Sequence, residues 1–154
     1  MGHITALSAY MQGDTALVME DDCVMEDGKP WKEAVKIAEC LVTQGGFDLV
    51  SLHCRGLDMA CLGKTVHEQS GFVFKMPPNK DHYVLNGTLA YVINRKAAWK
   101  FIQKDPFIEY NAIDCIMWSP QFNYCVLDNT PFIHGCGGEE SVLEKPKNTH
   151  YSLV

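Results

Sequence analysis

The most chemically loaded stretch of the chain is Met19-Glu20-Asp21-Asp22-Cys23. Three consecutive carboxylates repel one another. Holding them at the end of a buried strand costs stability unless something cationic sits beside them. A hard divalent ion is a natural partner. Mg²⁺ and Mn²⁺ prefer oxygen donors and commonly use one or two carboxylates together with substrate phosphates. Glu20, Asp21 and Asp22 are therefore candidate metal ligands. The residues alone leave a second reading open, an acidic solvated turn after a strand. His134, ahead of Gly135-Cys136-Gly137-Gly138, offers a late imidazole that can complete a metal shell, though a lone histidine also serves structure.

Six further residues could meet a substrate. Gly87-Thr88 opens a strand, and a missing side chain there lets a ligand approach the backbone; the alternative is a turn glycine. Arg55 follows a strand and can meet a phosphate, or it is solvated. Trp31, Trp99 and Trp118 can stack on a sugar, but Trp31 and Trp99 fall on predicted helices, and packing is the preferred role for Trp31.

The elements that must position these groups follow from periodicity. Ile4, Leu7, Tyr10 and Met11 predict a helix from His3 to Gln12, closed by Gly13. Ala16-Leu17-Val18-Met19 is a continuous apolar run, so Thr15 to Glu20 is predicted as a strand with both faces covered. Pro30 is placed to open a helix running to about Thr43, with Trp31, Ala34, Val35, Ala38, Leu41 and Val42 as its apolar stripe and Gly45-Gly46 as its stop. Further strands are predicted at Phe47–Cys54, Phe72–Met76, Gly87–Asn94 and Phe122–Leu127. Asn94 is suited to cap a helix from Arg95 to Gln103. Ala112 to Trp118 reads as a short helix, Arg55 to Gln69 as a loop, and the segment from Gly135 on as a polar, poorly ordered tail. Strands alternating with helices predict an α/β sandwich with a largely parallel sheet, its central strands including those at 15–20, 47–54 and 87–93. Ligands in such sheets collect at the carboxyl ends of strands, where the acidic triplet lies, and it is expected to face a cleft there.

Bulk properties bound the rest. The chain has 154 residues, 47% hydrophobic and 21% charged, with a net charge of −6. That suits one globular domain and argues against nucleic acid or an anionic membrane as partner. No stretch is long and apolar enough to span a bilayer, and no leader pattern is visible, so a cytoplasmic location is expected. The seven cysteines show no Cys-x-x-Cys pair, and their odd number and apolar surroundings predict reduced thiols.

The strand Ala16-Leu17-Val18-Met19 followed by Glu20-Asp21-Asp22 resembles the metal-binding motif of glycosyltransferase family 25, which includes lipooligosaccharide glycosyltransferases and collagen galactosyltransferases. Other segments fit in order. Gly2-His3 through Tyr10 resembles the helix before the motif, which usually opens with Ser-His. Phe47-Asp48-Leu49-Val50-Ser51-Leu52 resembles the strand after the first crossover helix. Gly87-Thr88-Leu89-Ala90-Tyr91-Val92-Ile93 with Arg95-Lys96-Ala97-Ala98 is similar to the Gly-Thr-x-Ala-Tyr strand and its helix. Ala112-Ile113-Asp114 takes the place of a segment with an aspartate, and Glu140-Ser141 resembles an acidic-Ser motif, with Val142 where a serine is usual.

The resemblance implies a Rossmann-like A-type glycosyltransferase fold over residues 1–141, with 142–154 as a polar tail. The family's first strand, helix and second strand have no counterpart before Gly2, so a fragment, a truncated gene product or half of an assembly is expected. The implied activity is inverting transfer of a sugar, a hexose, from a nucleotide-sugar donor such as a UDP-sugar to a glycan or protein hydroxyl. Mn²⁺ or Mg²⁺ held by the triplet would stabilise the leaving diphosphate. Asp114, by its place in the pattern, would be the base that deprotonates the acceptor, with Glu140 the second candidate; Asp114 is also explained as a helix-start aspartate. The alternatives are a truncated, non-catalytic domain that binds a partner chain or glycan, and a different metal-dependent phosphoryl or nucleotide enzyme. A chain lacking its first strands would also be expected to associate, as a homo-oligomer for example.

Overall fold

The structure is a computed structural model that describes His3, Leu7 and residues 12–53, 62–77, 87–103 and 116–135. Eight strands and two helices are formed by these residues. In chain order they are β1 (Thr15–Met19), β2 (Cys23–Met25), α1 (Trp31–Thr43), β3 (Leu49–Ser51), β4 (Thr65–Gln69), β5 (Phe72–Lys75), β6 (Ala90–Asn94), α2 (Arg95–Ile102), β7 (Tyr124–Leu127) and β8 (Phe132–His134). His3 and Leu7 are helical, as expected.

Six strands form one sheet in the order β1-β6-β3-β7-β5-β4, and β2 and β8 form a separate two-stranded ribbon. The molecule is a mixed α/β structure, but the expected largely parallel sheet is corrected. Among the described strands only β3 and β7 run parallel; β1–β6, β3–β6, β5–β7 and β4–β5 are antiparallel. The helix-strand alternation in the sequence concealed this because β5 follows β4 through a hairpin and β6 enters the sheet between β1 and β3. Ser70 and Gly71, with φ of 53° and 81°, make that hairpin turn. A second correction concerns β1, which stands at the end of the strand order, not at its centre.

The continuous apolar run of β6 marks a strand covered on both faces, whereas β1, expected to be covered likewise, is only half-buried, with Met19 exposed. Along β6 the side chains alternate: Tyr91 and Ile93 pack with Leu49, Tyr124, Trp118 and the α2 residues Ala97, Ala98 and Phe101. Ala90 and Val92 point the other way, into a second core with Val50, Leu52, Phe74 and the α1 residues Ala34, Ile37, Ala38, Leu41 and Val42. The α1 set falls at i, i+3, i+4, i+7 and i+8, a stripe that lays one helix face on the sheet. Asn94 caps α2 as expected, its Oδ1 accepting from Ala97 N at 2.8 Å, while its Nδ2 donates to Phe47 O at 3.1 Å. The parallel pair is pinned from the side: Asp48 Oδ2 accepts from Asn123 N at 2.8 Å, and Asp48 N donates to Asn123 O at 2.7 Å.

Candidate functional site

β1 delivers the acidic triplet at its carboxyl end, as the apolar run predicts. Glu20 N donates to Leu89 O at 2.9 Å, carrying the ladder one residue past the strand. Cys23 N then donates to Glu20 O at 3.1 Å, closing a turn with Asp21 and Asp22 at its two central positions. Both aspartates are exposed.

The triplet does not act as one cluster. Glu20 continues the alternation of Ala16 and Val18 and so faces the α2 side of the sheet. There its Oε1 accepts from the buried Thr88 hydroxyl and lies 3.5 Å from His3 Nε2. His3 Nδ1 is 3.1 Å from the Tyr91 hydroxyl, and the two rings are stacked. One proton arrangement satisfies every member: the Tyr91 hydroxyl donates to Nδ1, leaving the Nε2 proton for Glu20. Burial and then the Glu20 charge push the Tyr91 hydroxyl well above its ordinary range, which keeps it a donor. Burial lowers the His3 imidazole below its ordinary value, and Glu20 opposes part of that effect. Gly87 precedes this network with φ of 86°, a left-handed conformation that a side chain would strain, and its carbonyl accepts from the buried Trp118 indole at 2.8 Å.

Asp22 goes to the other side, where the turn hands the chain to the β2–β8 ribbon. Cys23 pairs with His134, Val24 with Ile133, and Met25 with Phe132. This pairing brings two predicted ligands, 112 positions apart, into contact: His134 Nδ1 lies 3.2 Å from Asp22 Oδ2. Gly135 closes the corner, its N donating to Asp22 O at 2.6 Å. A Cβ at Gly135 would stand 3.0 Å from Val24 Cγ1 and 3.1 Å from Asp22 O, so a side chain forces a shift there. Burial, with the Asp22 and Glu20 charges adding to it, raises the neighbouring Cys23 thiol to about 11.

The Asp22–His134 contact is a hydrogen bond or ion pair at 3.2 Å, a spacing also open to two ligands of one divalent ion. Two donors at adjacent positions of a six-coordinate ion, each about 2.1 Å from it, stand about 3 Å apart. The observed separation is close to that, and both side chains are near half exposed, leaving room for water or phosphate oxygens. Among the described residues, however, no three His, Cys, Asp or Glu side chains gather as one metal-binding group. The expected set of Glu20, Asp21, Asp22 and His134 thus divides: Asp22 meets His134, Glu20 is held by Thr88 and His3, and Asp21 faces solvent. Lys29, Pro30, Trp31, Lys32, Glu33 and Lys36 line an open depression at the start of α1. Asp114, Glu140 and Arg55 lie outside the described residues.

The chain matches no family model and no curated protein. Among the described residues, no helix is long and apolar enough to cross a membrane.

Two residues of the site carried no role in the sequence reading. His3 was assigned only to a helix. His53 stands just past β3, and the rule that ligands gather at strand carboxyl ends would have marked it. Trp31 is a packing residue, its ring edge-on to Phe132, while Trp99 lies exposed on α2.

Proposed function

We propose that this chain is the metal-binding core of an inverting glycosyltransferase of the family 25 type, using a nucleotide-sugar donor. The observation that carries the reading is the Asp22–His134 pair at the carboxyl end of β1. A carboxylate and an imidazole 3.2 Å apart support this reading, because one divalent ion can take both beside phosphate oxygens. The sequence resemblance supplies the rest. Asp22 and His134 would hold Mn²⁺ or Mg²⁺, and the ion when bound would neutralise charge on the departing nucleoside diphosphate. Glu20, fixed by Thr88 and His3, would orient the turn that presents Asp22. Gly87 and Thr88, beside Glu20, would form the floor of the donor site. Asp114 and Glu140 remain the proposed acceptor base and its alternate, and a hydroxyl of a glycan or protein the proposed acceptor.

The test is metal binding followed by turnover. Mn²⁺ should raise the melting temperature of the wild-type chain by mass action, and Asp22→Ala and His134→Ala should each abolish the rise. UDP-sugar hydrolysis or transfer should then require Mn²⁺ and Asp22. A metal-induced shift that survives both substitutions would remove the pair from the metal site.

A second reading is favoured by Glu20, whose carboxylate is taken up by Thr88 and His3. A site in which one acidic residue serves the fold suits a non-catalytic domain that binds a glycan or partner chain. Metal and UDP binding without turnover, across a broad donor and acceptor panel, would support it.

A further inference from the structure

His53 is the group beside the Asp22–His134 pair that the proposed reaction does not use. Its Nδ1 lies 2.8 Å from Phe132 O. A carbonyl can only accept, so Nδ1 carries the proton and the ring is tied to β8. The backbone that carries it is tied as well. Ser51 Oγ donates to His53 O at 2.6 Å, and the Thr130 hydroxyl donates to Leu52 O. Leu52 N in turn donates to Ala90 O at 2.9 Å, in the middle of the sheet. The His53 ring is therefore fixed to the rigid part of the molecule. It meets the His134 ring edge-to-face, with centroids 5.3 Å apart and planes at 85°. His134 itself has a side chain 43% exposed and a carboxylate partner 52% exposed. Its contact with Asp22 alone would not hold one rotamer, because an exposed ion pair gains little and must offset side-chain entropy. The anchored aromatic neighbour removes that freedom.

We propose that His53 is a positioning residue: its anchored ring, packed edge-to-face on His134, holds the His134 imidazole in place against Asp22 and so sets how tightly the pair takes a divalent ion. The inference rests on the metal reading of that pair. Residues behind a first-layer ligand commonly change metal affinity 10- to 100-fold when replaced, because they fix the ligand's ring before the ion arrives.

Two substitutions separate the ring contact from the hydrogen bond. His53→Asn can keep a donor for Phe132 O and loses the ring. His53→Phe keeps a ring against His134 and loses the donor to Phe132 O. Mn²⁺ affinity is measured by calorimetry on the full chain, alongside NOEs between the His134 ring protons and position 53. We expect about tenfold weaker Mn²⁺ binding in His53→Asn, recovery to within about threefold of wild type in His53→Phe, and a His134 ring signal that averages in His53→Asn alone. Wild-type affinity in His53→Asn, or a loss in His53→Phe as large as in His53→Asn, would overturn the positioning role. If the wild-type chain takes no Mn²⁺, the metal reading falls, and the NOEs still decide: an unaltered His134 ring in His53→Asn sinks the inference by itself. A variant that fails to fold shows as loss of amide dispersion, and the other then carries the comparison through the same NOEs.

Discussion

Glu20 and Asp22 are two positions apart and answer to different neighbours, so their substitutions should separate. Glu20→Ala leaves the buried Thr88 hydroxyl and the His3 ring without their acceptor. We expect a loss of roughly 1–3 kcal/mol in urea unfolding, with a Mn²⁺-induced stabilisation still measurable. Asp22→Ala removes an exposed carboxylate and should change the unfolding free energy in urea by less than about 0.5 kcal/mol while eliminating the response to Mn²⁺. His3 gives the site a pH signature. Its imidazole is held below the ordinary 6.5 chiefly by burial, so the unfolded chain takes up the proton first. Its contribution is complete above that value and is lost as the pH falls from there toward the folded-state value. The urea midpoint should therefore fall more between pH 7.5 and pH 5.5 in wild type than in His3→Gln. An equal fall in the two proteins would show that His3 is not the titrating group.

At the scale of elements, the join between β6 and α2 is the sharpest test. Asn94 serves two elements at once, capping α2 and donating to the carbonyl of Phe47 ahead of β3. Asn94→Ala loses both and should cost about 1–2 kcal/mol; Asn94→Asp restores the cap acceptor, not the donor, and should recover only part. Thermal or urea unfolding of the pair checks the order. This cap was legible in the sequence because an Asn between an apolar strand and a periodic helix has few other uses. The same holds for β1, α1, β5, β6 and β7, each announced by a run or a stripe of apolar side chains. What was not legible were β2, β4 and β8. Cys23–Met25 and Phe132–His134 are three-residue strands that exist only because they pair with each other, and no local period shows at that length. Thr65-Val66-His67-Glu68-Gln69 is polar on the side away from the core and reads as loop until Phe72–Lys75 supplies its partner. The same blindness applied to the site. The sequence puts Asp22 and His134 in one candidate set, and the β2–β8 pairing supplies the contact between them that no local pattern shows. His53 was passed over because its role depends on a ring brought from β8.

Over the whole molecule, one sheet carries two cores. Phe101 of α2 and Ile37 of α1 are both buried, on opposite faces. Phe101→Ala and Ile37→Ala should each cost about 2–5 kcal/mol through the cavity left behind. Since β6 contributes side chains to both cores, each substitution should lower one shared transition, seen at the same midpoint by tryptophan fluorescence and far-ultraviolet circular dichroism. Two separated transitions would mean that the faces unfold independently and that β6 does not couple them.

The placement of β3 has a consequence for how the chain is made. Its neighbours in the sheet are β6 and β7, both of which come later in the sequence, and Leu49 must wait for Ile93 on one side and Tyr124 on the other. At roughly 5–20 residues per second, a ribosome needs about 4–15 s to synthesise the stretch from Leu49 to Tyr124. During that interval the apolar Leu49-Val50 strand lacks both of its sheet neighbours, and α1, already emerged, offers a face that can shelter it. Nascent chains arrested before β6 emerges should therefore engage a chaperone such as trigger factor, and release only once Tyr124–Leu127 has cleared the exit tunnel.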